Sequence, residues 1–184
     1  MTRAELAALV DREDHSALVD MARARVGRVL RYLTGRLYTD DPEEKMRAVR
    51  ALGAVCADRQ AVDRTRAADT LRRFFWALND ESGAVPYGVP EAIGEILAVR
   101  PELQADFLPL LCSLITHEEM LQTGPIERGA IWALGRVGPP VAAGSPAAVQ
   151  ALRHAARRHE DPEARRLAVA ALEEVQPPRL HELG

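Results

Sequence analysis

Apolar residues recur along most of the chain at three- and four-residue intervals, the spacing typical of amphipathic α-helices. Four stretches share a closer pattern, in which an alanine is followed at once by a β-branched aliphatic residue and, three positions later, by Leu or Ile. This pattern places the apolar side chains on one helical face and predicts four helices and no β-sheet. The four stretches are Ala48/Val49/Leu52, Ala92/Ile93/Ile96, Ala130/Ile131/Leu134 and Ala168/Val169/Leu172.

Each of these four helices is preceded by an X-Pro pair, which predicts where it begins. Proline suits the first helical turn because its missing N–H has no partner within the helix there. Asp41 and Asp161 precede two of the prolines and are predicted to cap their helices with a side-chain oxygen. The sequence therefore predicts helix starts near Asp41, at Gly88 or Val89, at Thr123 or Gly124, and at Asp161.

The shared pattern repeats at a period that fits two helices. Its alanines are separated by 44, 38 and 38 residues, which is long enough for an antiparallel helical hairpin and its turns. The second helices are predicted at 25–38, 61–78, 101–116 and 146–158. We therefore expect one domain, 1–184, with an N-terminal cap over 1–24, a tail over 176–184, and hairpins over 25–57, 61–99, 101–137 and 146–175.

The run DPEARRLAVAAL and the related runs from 41, 89 and 124 resemble HEAT-like repeats, particularly the short repeats of phycobilisome lyase-type proteins, across residues 25–175. The stretch RRFFWALNDESGAVPYGVPEAIGEI is similar to a bacterial family of HEAT-repeat proteins without an assigned activity. The resemblance implies an all-α fold, namely a right-handed α-solenoid of about four hairpins. It implies a binding scaffold more often than an enzyme and carries over no functional residue.

The composition indicates which kinds of molecule the protein can bind and in which cellular compartment we expect it. The 184 residues carry a net charge of −3, which offers no general attraction to nucleic acid. The charged opening MTRAELAALVDREDH predicts neither a signal peptide nor a membrane span, so we expect a cytoplasmic protein that binds no membrane. Cys56 and Cys112 lie in apolar helical patterns without metal-ligand spacing, which predicts reduced, packed thiols rather than a disulfide or a zinc site.

The first departure from the repeat is the turn at 79–88. The 44-residue offset exceeds the others by about six residues, and this turn is where they fit. Half of the chain's eight aromatic residues lie close to it in sequence. Two interpretations stay open: an Ω-like loop packed on those aromatic rings, with Asp80 and Ser82 capping backbone N–H groups, or a loop that binds a partner.

The second departure is a single carboxylate, Glu95. The three equivalent positions, Ala51, Ala133 and Ala171, hold a methyl group. A carboxylate at a crowded helix contact must find a donor, reach water or become protonated, so we predict that Glu95 is largely buried and hydrogen-bonded. Its candidate donors are Arg128, Arg136, His117 and the indole N–H groups of Trp76 and Trp132.

These departures meet in one candidate partner-binding surface. Glu91 lies one turn before Glu95 on the same helical face, and Glu127 is expected nearby in the next repeat. Residues 79–127 contain nine acidic residues and one basic residue, Arg100. The predicted surface comprises Asn79, Asp80, Glu81, Ser82, Tyr87, Glu91, Glu95 and Glu127, supported by Trp76 and Trp132.

Three alternatives to this surface stay open. The acidic residues can form a solvated helix face with one structural ion pair. The partner can instead bind the basic last hairpin, which carries Arg157 and Arg158. Finally, the chain can be a lyase-like enzyme that handles a small ligand or cofactor near Trp76, Glu91, Glu95 and Trp132. An open groove would favour an interaction surface, whereas a closed apolar pocket would favour the enzyme.

The sequence contains little evidence for a catalytic site or a metal-binding site. THEE at 116–119 and RHED at 158–161 resemble the His-Glu pairs that bind iron in HEAT-repeat deoxyhypusine hydroxylases, but only two pairs occur and both lie near helix ends. DNA alkylation repair glycosylases with HEAT-like repeats need a cationic groove, where this chain has Glu91 and Glu95. We therefore predict no catalytic residue, no metal, no cofactor and no nucleic acid, and a protein as the partner.

Overall fold

The chain is all-α in a computed structural model that describes residues 2–79, 85–117 and 122–177. These residues form ten α-helices and two short 3₁₀ turns, at Arg36–Tyr38 and Pro101–Leu103, and no β-strand occurs among them. The helices are α1 Arg3–Asp11, α2 His15–Gly35, α3 Pro42–Ala57, α4 Arg64–Ala77, α5 Val89–Val99, α6 Gln104–Thr116, α7 Gly124–Val137, α8 Pro139–Gly144, α9 Pro146–Arg158 and α10 Pro162–Val175.

The predicted starts of α3, α5, α7 and α10 are confirmed to within one residue. The Asp41 carboxylate accepts a hydrogen bond from the backbone N–H of Glu44 at 2.9 Å, as predicted for a helix cap. Asp161 caps α10 in the same way through the N–H of Glu163. A proline lies in the first or second position of all four helices, where it removes no intrahelical hydrogen bond.

Helices α3, α5, α7 and α10 pack side by side in that order, and we refer to them as the central row. The other long helices pack on this row: α2 on α3, α4 on α5, α6 on α5 and α7, and α9 on α10. Helix α1 packs on α2 and on α3, the first helix of the row. Helix α2 begins at His15 and has a kink with non-helical dihedral angles at Arg25, so its second part begins close to the predicted residue 25.

Two glycines allow unusually close approach within the central row. A Cβ atom built on Gly94 of α5 would lie 2.6 Å from the Cα of Ala133 in α7. A Cβ on Gly135 of α7 would lie 2.8 Å from the Cα of Ala171 in α10. The helices therefore meet backbone to backbone at the alanines that the repeat pattern singled out, which sets the spacing of the row.

A buried arginine ties the end of α5 to the end of α3. Arg100 is 1% exposed, and its Nη1 donates hydrogen bonds to the carbonyl oxygens of Cys56 and Val62, each at 2.8 Å. Its Nε donates to Glu102 at 2.7 Å. Because the guanidinium holds three acceptors on two segments, it fixes the turn after α3 against the turn after α5.

The two cysteines are free and buried, in agreement with the predicted packed thiols. Burial raises the pKa of the Cys56 thiol to about 12, against the smaller opposite effect of Arg100. The pKa of the Cys112 thiol is also raised by burial. Neither thiol is a good nucleophile, since the thiolate is the reactive form.

No helix within the described ranges combines the length and the apolar character that crossing a bilayer requires.

Candidate functional site: a groove across the central row

A groove of about 750 Å³ runs across the N-terminal ends of the four central-row helices. The residues around it combine charged side chains with two aromatic rings. They include Lys45 of α3, Tyr87 and Glu91 at the start of α5, Arg128 and Trp132 of α7, and Arg166 of α10. We call this feature the central groove.

Glu91 lies on the wall of the central groove and is 4% exposed. Its Oε1 accepts a hydrogen bond from the Nζ of Lys45 at 2.6 Å. Its Oε2 is buried, has no hydrogen-bond partner in the described part of the chain, and occupies the space where Gly129 of α7 lacks a Cβ. Burial raises the pKa of Glu91, and the neighbouring Lys45 opposes that rise. The site thus contains a half-satisfied buried carboxylate.

Glu95 is 9% exposed and hydrogen-bonded, as predicted from its alanine counterparts. Of the candidate donors, Arg136 of α7 binds it, with Nε to Oε2 at 2.6 Å and Nη2 to Oε1 at 3.1 Å. The same ion pair raises the pKa of Arg136. On the other side, the Cγ of Glu95 occupies the place of a Cβ on Gly53 of α3. The longer side chain therefore fits because α3 has a glycine opposite it.

We expect a Glu95→Ala variant to lose about 1 to 3 kcal/mol of unfolding free energy, mainly through the void that it leaves, since the Arg136 side chain is 42% exposed and regains water. In the parent protein, Gly53→Ala should cost about 1 to 3 kcal/mol, since the new methyl group collides with Glu95. Combined with Glu95→Ala, Gly53→Ala should cost little or nothing. Urea denaturation of the four proteins measures this coupling. Additive losses would mean that the two residues do not share one space.

Ion pairs connect successive helices of the central row. Arg128 of α7 forms an ion pair with Asp161, the cap of α10, at 2.8 Å, and Glu127 lies 3.1 Å from the Nε2 of His159 in a polar contact. Glu91 and Glu95 pair with α3 and α7, respectively. The three predicted carboxylates are therefore all partnered, and Glu91 and Glu95 do not form an exposed acidic surface.

The described ends of the elaborated turn are anchored to neighbouring elements. The Nδ2 of Asn79 donates to the carbonyl of Phe75 at 3.0 Å. The N–H of Gly88 donates to the carbonyl of Leu37 at 2.8 Å, so the turn's last residues rest on the first hairpin. Tyr87 lies at the edge of the central groove. The predicted site residues Asp80, Glu81 and Ser82 lie outside the described residues.

The structure separates the two tryptophans that were predicted to support one site. Trp76 lies on α4 with 79% of its surface exposed and does not line the central groove. Trp132 is partly buried, lines the groove and also lines a second cavity of about 320 Å³ between α7 and α10.

Phe75, another aromatic residue near the elaborated turn in sequence, is buried and stacks on Phe107 with ring centroids 6.3 Å apart.

Sequence reasoning missed Lys45, the cation that binds Glu91. The composition does single out this residue, because Lys45 is the only lysine among the 24 Lys and Arg residues. Its pairing with Glu91 depends on the packing of α3 against α5, which separates the two residues by 46 positions in sequence.

Comparison with known proteins gives no assignment: no protein-family model matches the chain, and no curated protein matches it either. The HEAT-like assignment therefore stays a prediction from the repeat pattern. Within the described residues, no group of three or more His, Cys, Asp or Glu side chains is placed to hold a metal ion.

Proposed function

We propose that this protein is a HEAT-like α-solenoid that works as a non-catalytic interaction scaffold and binds an extended segment of a partner protein in the central groove. The all-α fold, the proline-initiated repeats and the ordered packing of α3, α5, α7 and α10 support this proposal. In repeat proteins of this kind, the stacked helices provide a long surface for partner recognition.

The observation that carries the proposal is the buried carboxylate of Glu91 at the groove. A buried carboxylate with one unpaired oxygen costs stability, and its place in the first turn of α5 offsets only part of that cost. The equivalent positions of the other repeats hold Arg47, Gly129 and Leu167, so the repeat pattern does not require an acidic residue at this position. A costly polar group beside a cavity is typical of a binding site.

The shape of the site supports a peptide-like ligand over a small molecule. The central groove and the cavity between α7 and α10 share Trp132 and Leu167, so together they provide an elongated surface. Aromatic residues with a polar surround are typical binding anchors in protein interfaces. The lyase-like alternative needs Trp76 beside Glu91, and Trp76 is instead exposed on α4.

The test uses a random 12-residue peptide display library selected on the full chain, followed by NMR with synthetic peptides. The two tryptophans provide a built-in control, because a ¹⁵N-labelled sample has two indole N–H signals. The exposed Trp76 allows a harmless Trp76→Phe variant that assigns them. We expect selected peptides to bind and to shift the Trp132 signal while leaving the Trp76 signal in place.

Binding should also survive replacement of Arg157 and Arg158 by Ala, since both are exposed and neither lines the groove. Loss of binding in that variant without a shift of the Trp132 signal would move the site to the basic hairpin. A library that produces no peptide able to shift the Trp132 signal would also contradict the proposal.

A further inference from the structure

A second groove, of about 520 Å³, lies between the outer helices α2 and α4. We call it the α2/α4 groove, and none of the described residues that line it lines the central groove. Its walls hold three arginines, Arg31 of α2 and Arg66 and Arg73 of α4. All three are exposed, and within the described residues their guanidinium groups form neither a hydrogen bond nor an ion pair.

The two carboxylates on the same walls do not balance these arginines. Asp63 caps α4 by accepting a hydrogen bond from the backbone N–H of Arg66 at 2.8 Å, so the helix N-terminus offsets its charge. Asp69 pairs at 2.6 Å with Arg72, which does not line the groove. The three cations of the central groove, by contrast, each have a carboxylate partner. The α2/α4 groove therefore attracts an anion from outside the chain.

The positive surface continues beyond Arg31. This residue also lines a cavity of about 590 Å³ between α1 and α2, whose wall holds three further arginines, Arg3, Arg28 and Arg36. Within the described residues, no carboxylate lies on that wall. Arg36 pairs with Asp11 and Glu44, whereas the guanidinium of Arg3 has no ion pair in the described part of the chain. The surface thus extends over α1, α2 and α4 and is longer than a single anionic group.

The α2/α4 groove suits an acidic peptide better than a nucleic acid. A guanidinium binds a carboxylate or a phosphate through two parallel hydrogen bonds, so the arginines alone admit both. A nucleic-acid backbone carries a charge at every nucleotide, whereas a peptide can place uncharged residues opposite Asp63 and Asp69. Single strands also bind by stacking their bases on exposed aromatic rings, and the ring on this groove's wall, Phe74, is 2% exposed.

We infer that the α2/α4 groove is a second interaction surface, which binds an acidic segment of a partner protein through Arg31, Arg66 and Arg73. Carboxylates of the segment form paired hydrogen bonds with these guanidinium groups. A longer segment crosses α2 at Arg31 and reaches Arg3 in the adjoining cavity. The inference goes beyond the proposed function, because this surface and the central groove share no described residue.

The test measures the affinity of the full chain for a fluorescein-labelled peptide of alternating glutamate and serine by fluorescence anisotropy. We expect the peptide to bind, and Arg31→Gln, Arg66→Gln and Arg73→Gln each to weaken binding about three- to tenfold, because each removes one paired contact. The control Arg158→Gln removes the same charge from another exposed arginine without an ion pair and should change affinity less than about twofold. Equal losses in all four variants, or no binding by the parent, would overturn the site.

A second pair of variants predicts a gain of affinity. Asp69 and Asp20 each pair with the arginine three residues later, but only Asp69 lines the α2/α4 groove. Asp69→Asn should tighten the glutamate peptide about threefold, because it removes a repelling charge from the groove wall. Asp20→Asn should leave the affinity unchanged. Equal gains in both variants, or no gain in Asp69→Asn, would contradict the inference.

A single-stranded oligonucleotide of the same net charge tests the class of ligand. We expect it to bind more weakly than the glutamate peptide at the same ionic strength. Tighter binding that Arg31→Gln, Arg66→Gln and Arg73→Gln abolish would assign the groove to nucleic acid and overturn the acidic-peptide inference.

NMR on the ¹⁵N-labelled chain separates this inference from the proposed function. The glutamate peptide should shift the backbone N–H signals of Gly27 and Thr65, which line the α2/α4 groove, and leave the Trp132 indole signal in place. A shift of the Trp132 signal without the other two would place the peptide in the central groove and defeat this inference alone. Failure of the display library to yield a peptide that shifts Trp132 would defeat the proposed function alone.

Discussion

Replacing Arg100 by Ala should be among the most destabilising single substitutions in the chain, with an expected loss of about 3 to 5 kcal/mol of unfolding free energy. The side chain is 1% exposed and donates to two buried carbonyl oxygens and to Glu102. Truncation leaves those carbonyls without their side-chain donor and creates a cavity beneath the turn. Urea denaturation followed by circular dichroism measures the loss.

The matched control for this prediction is Arg59→Ala. Arg59 binds the other oxygen of the same Glu102 at 3.2 Å, but its side chain is 67% exposed. Removing it should change stability by less than about 0.5 kcal/mol, as expected of an exposed ion pair. Arg100→Lys should recover only part of the loss, since one ammonium does not cover all three acceptors. An Arg100→Ala variant within about 1 kcal/mol of the parent would contradict the proposed role.

Replacing Gly94 by Ala should cost about 2 to 3 kcal/mol, although alanine is the better helix former. The added methyl group would lie 2.6 Å from the Cα and Cβ of Ala133 and 2.8 Å from its carbonyl oxygen. None of these atoms belongs to a flexible side-chain end, so relief requires α5 and α7 to move apart. We expect the melting temperature to fall by about 4 to 10 °C, given the size of the chain.

Gly27→Ala provides the control for helix propensity. Gly27 lies in α2, two residues after the kink at Arg25, and nothing stands within 4 Å of a Cβ placed there. This variant should gain up to about 1 kcal/mol, because alanine loses less conformational entropy on folding. The difference between the two variants isolates the helix–helix contact. Similar stabilities for both would mean that α5 and α7 have room to separate.

The secondary structure was largely predictable because its determinants are local. Proline in the first turn and an Asp cap act on the backbone within three residues, and apolar spacing marks the buried face of the same helix. The starts of α3, α5, α7 and α10 follow from these rules to within one residue. The burial of Glu95 followed from comparing the repeats, since its counterparts are alanines in crowded contacts.

The contents of the candidate site were less predictable, because its contacts join residues about 40 positions apart. The repeat pattern gave no means of choosing Arg136 among the possible donors to Glu95. It also did not reveal that Lys45 binds Glu91, or that Trp76 faces solvent while Trp132 lines the groove. Each of these outcomes depends on the rotation of one helix against the next.

The sequence by itself determined the four central-row helices and the carboxylate that breaks the repeat, because propensity, capping and periodicity are properties of short segments. The tertiary structure alone decided which charges meet and where a cavity remains. The spacing of the central row depends on Gly94 and Gly135, and Glu91 and Glu95 fit because Gly129 and Gly53 leave room for them. The absence of a Cβ affects helix packing only where a neighbouring helix comes close enough to occupy that space. Which helix does so is decided only when the chain folds.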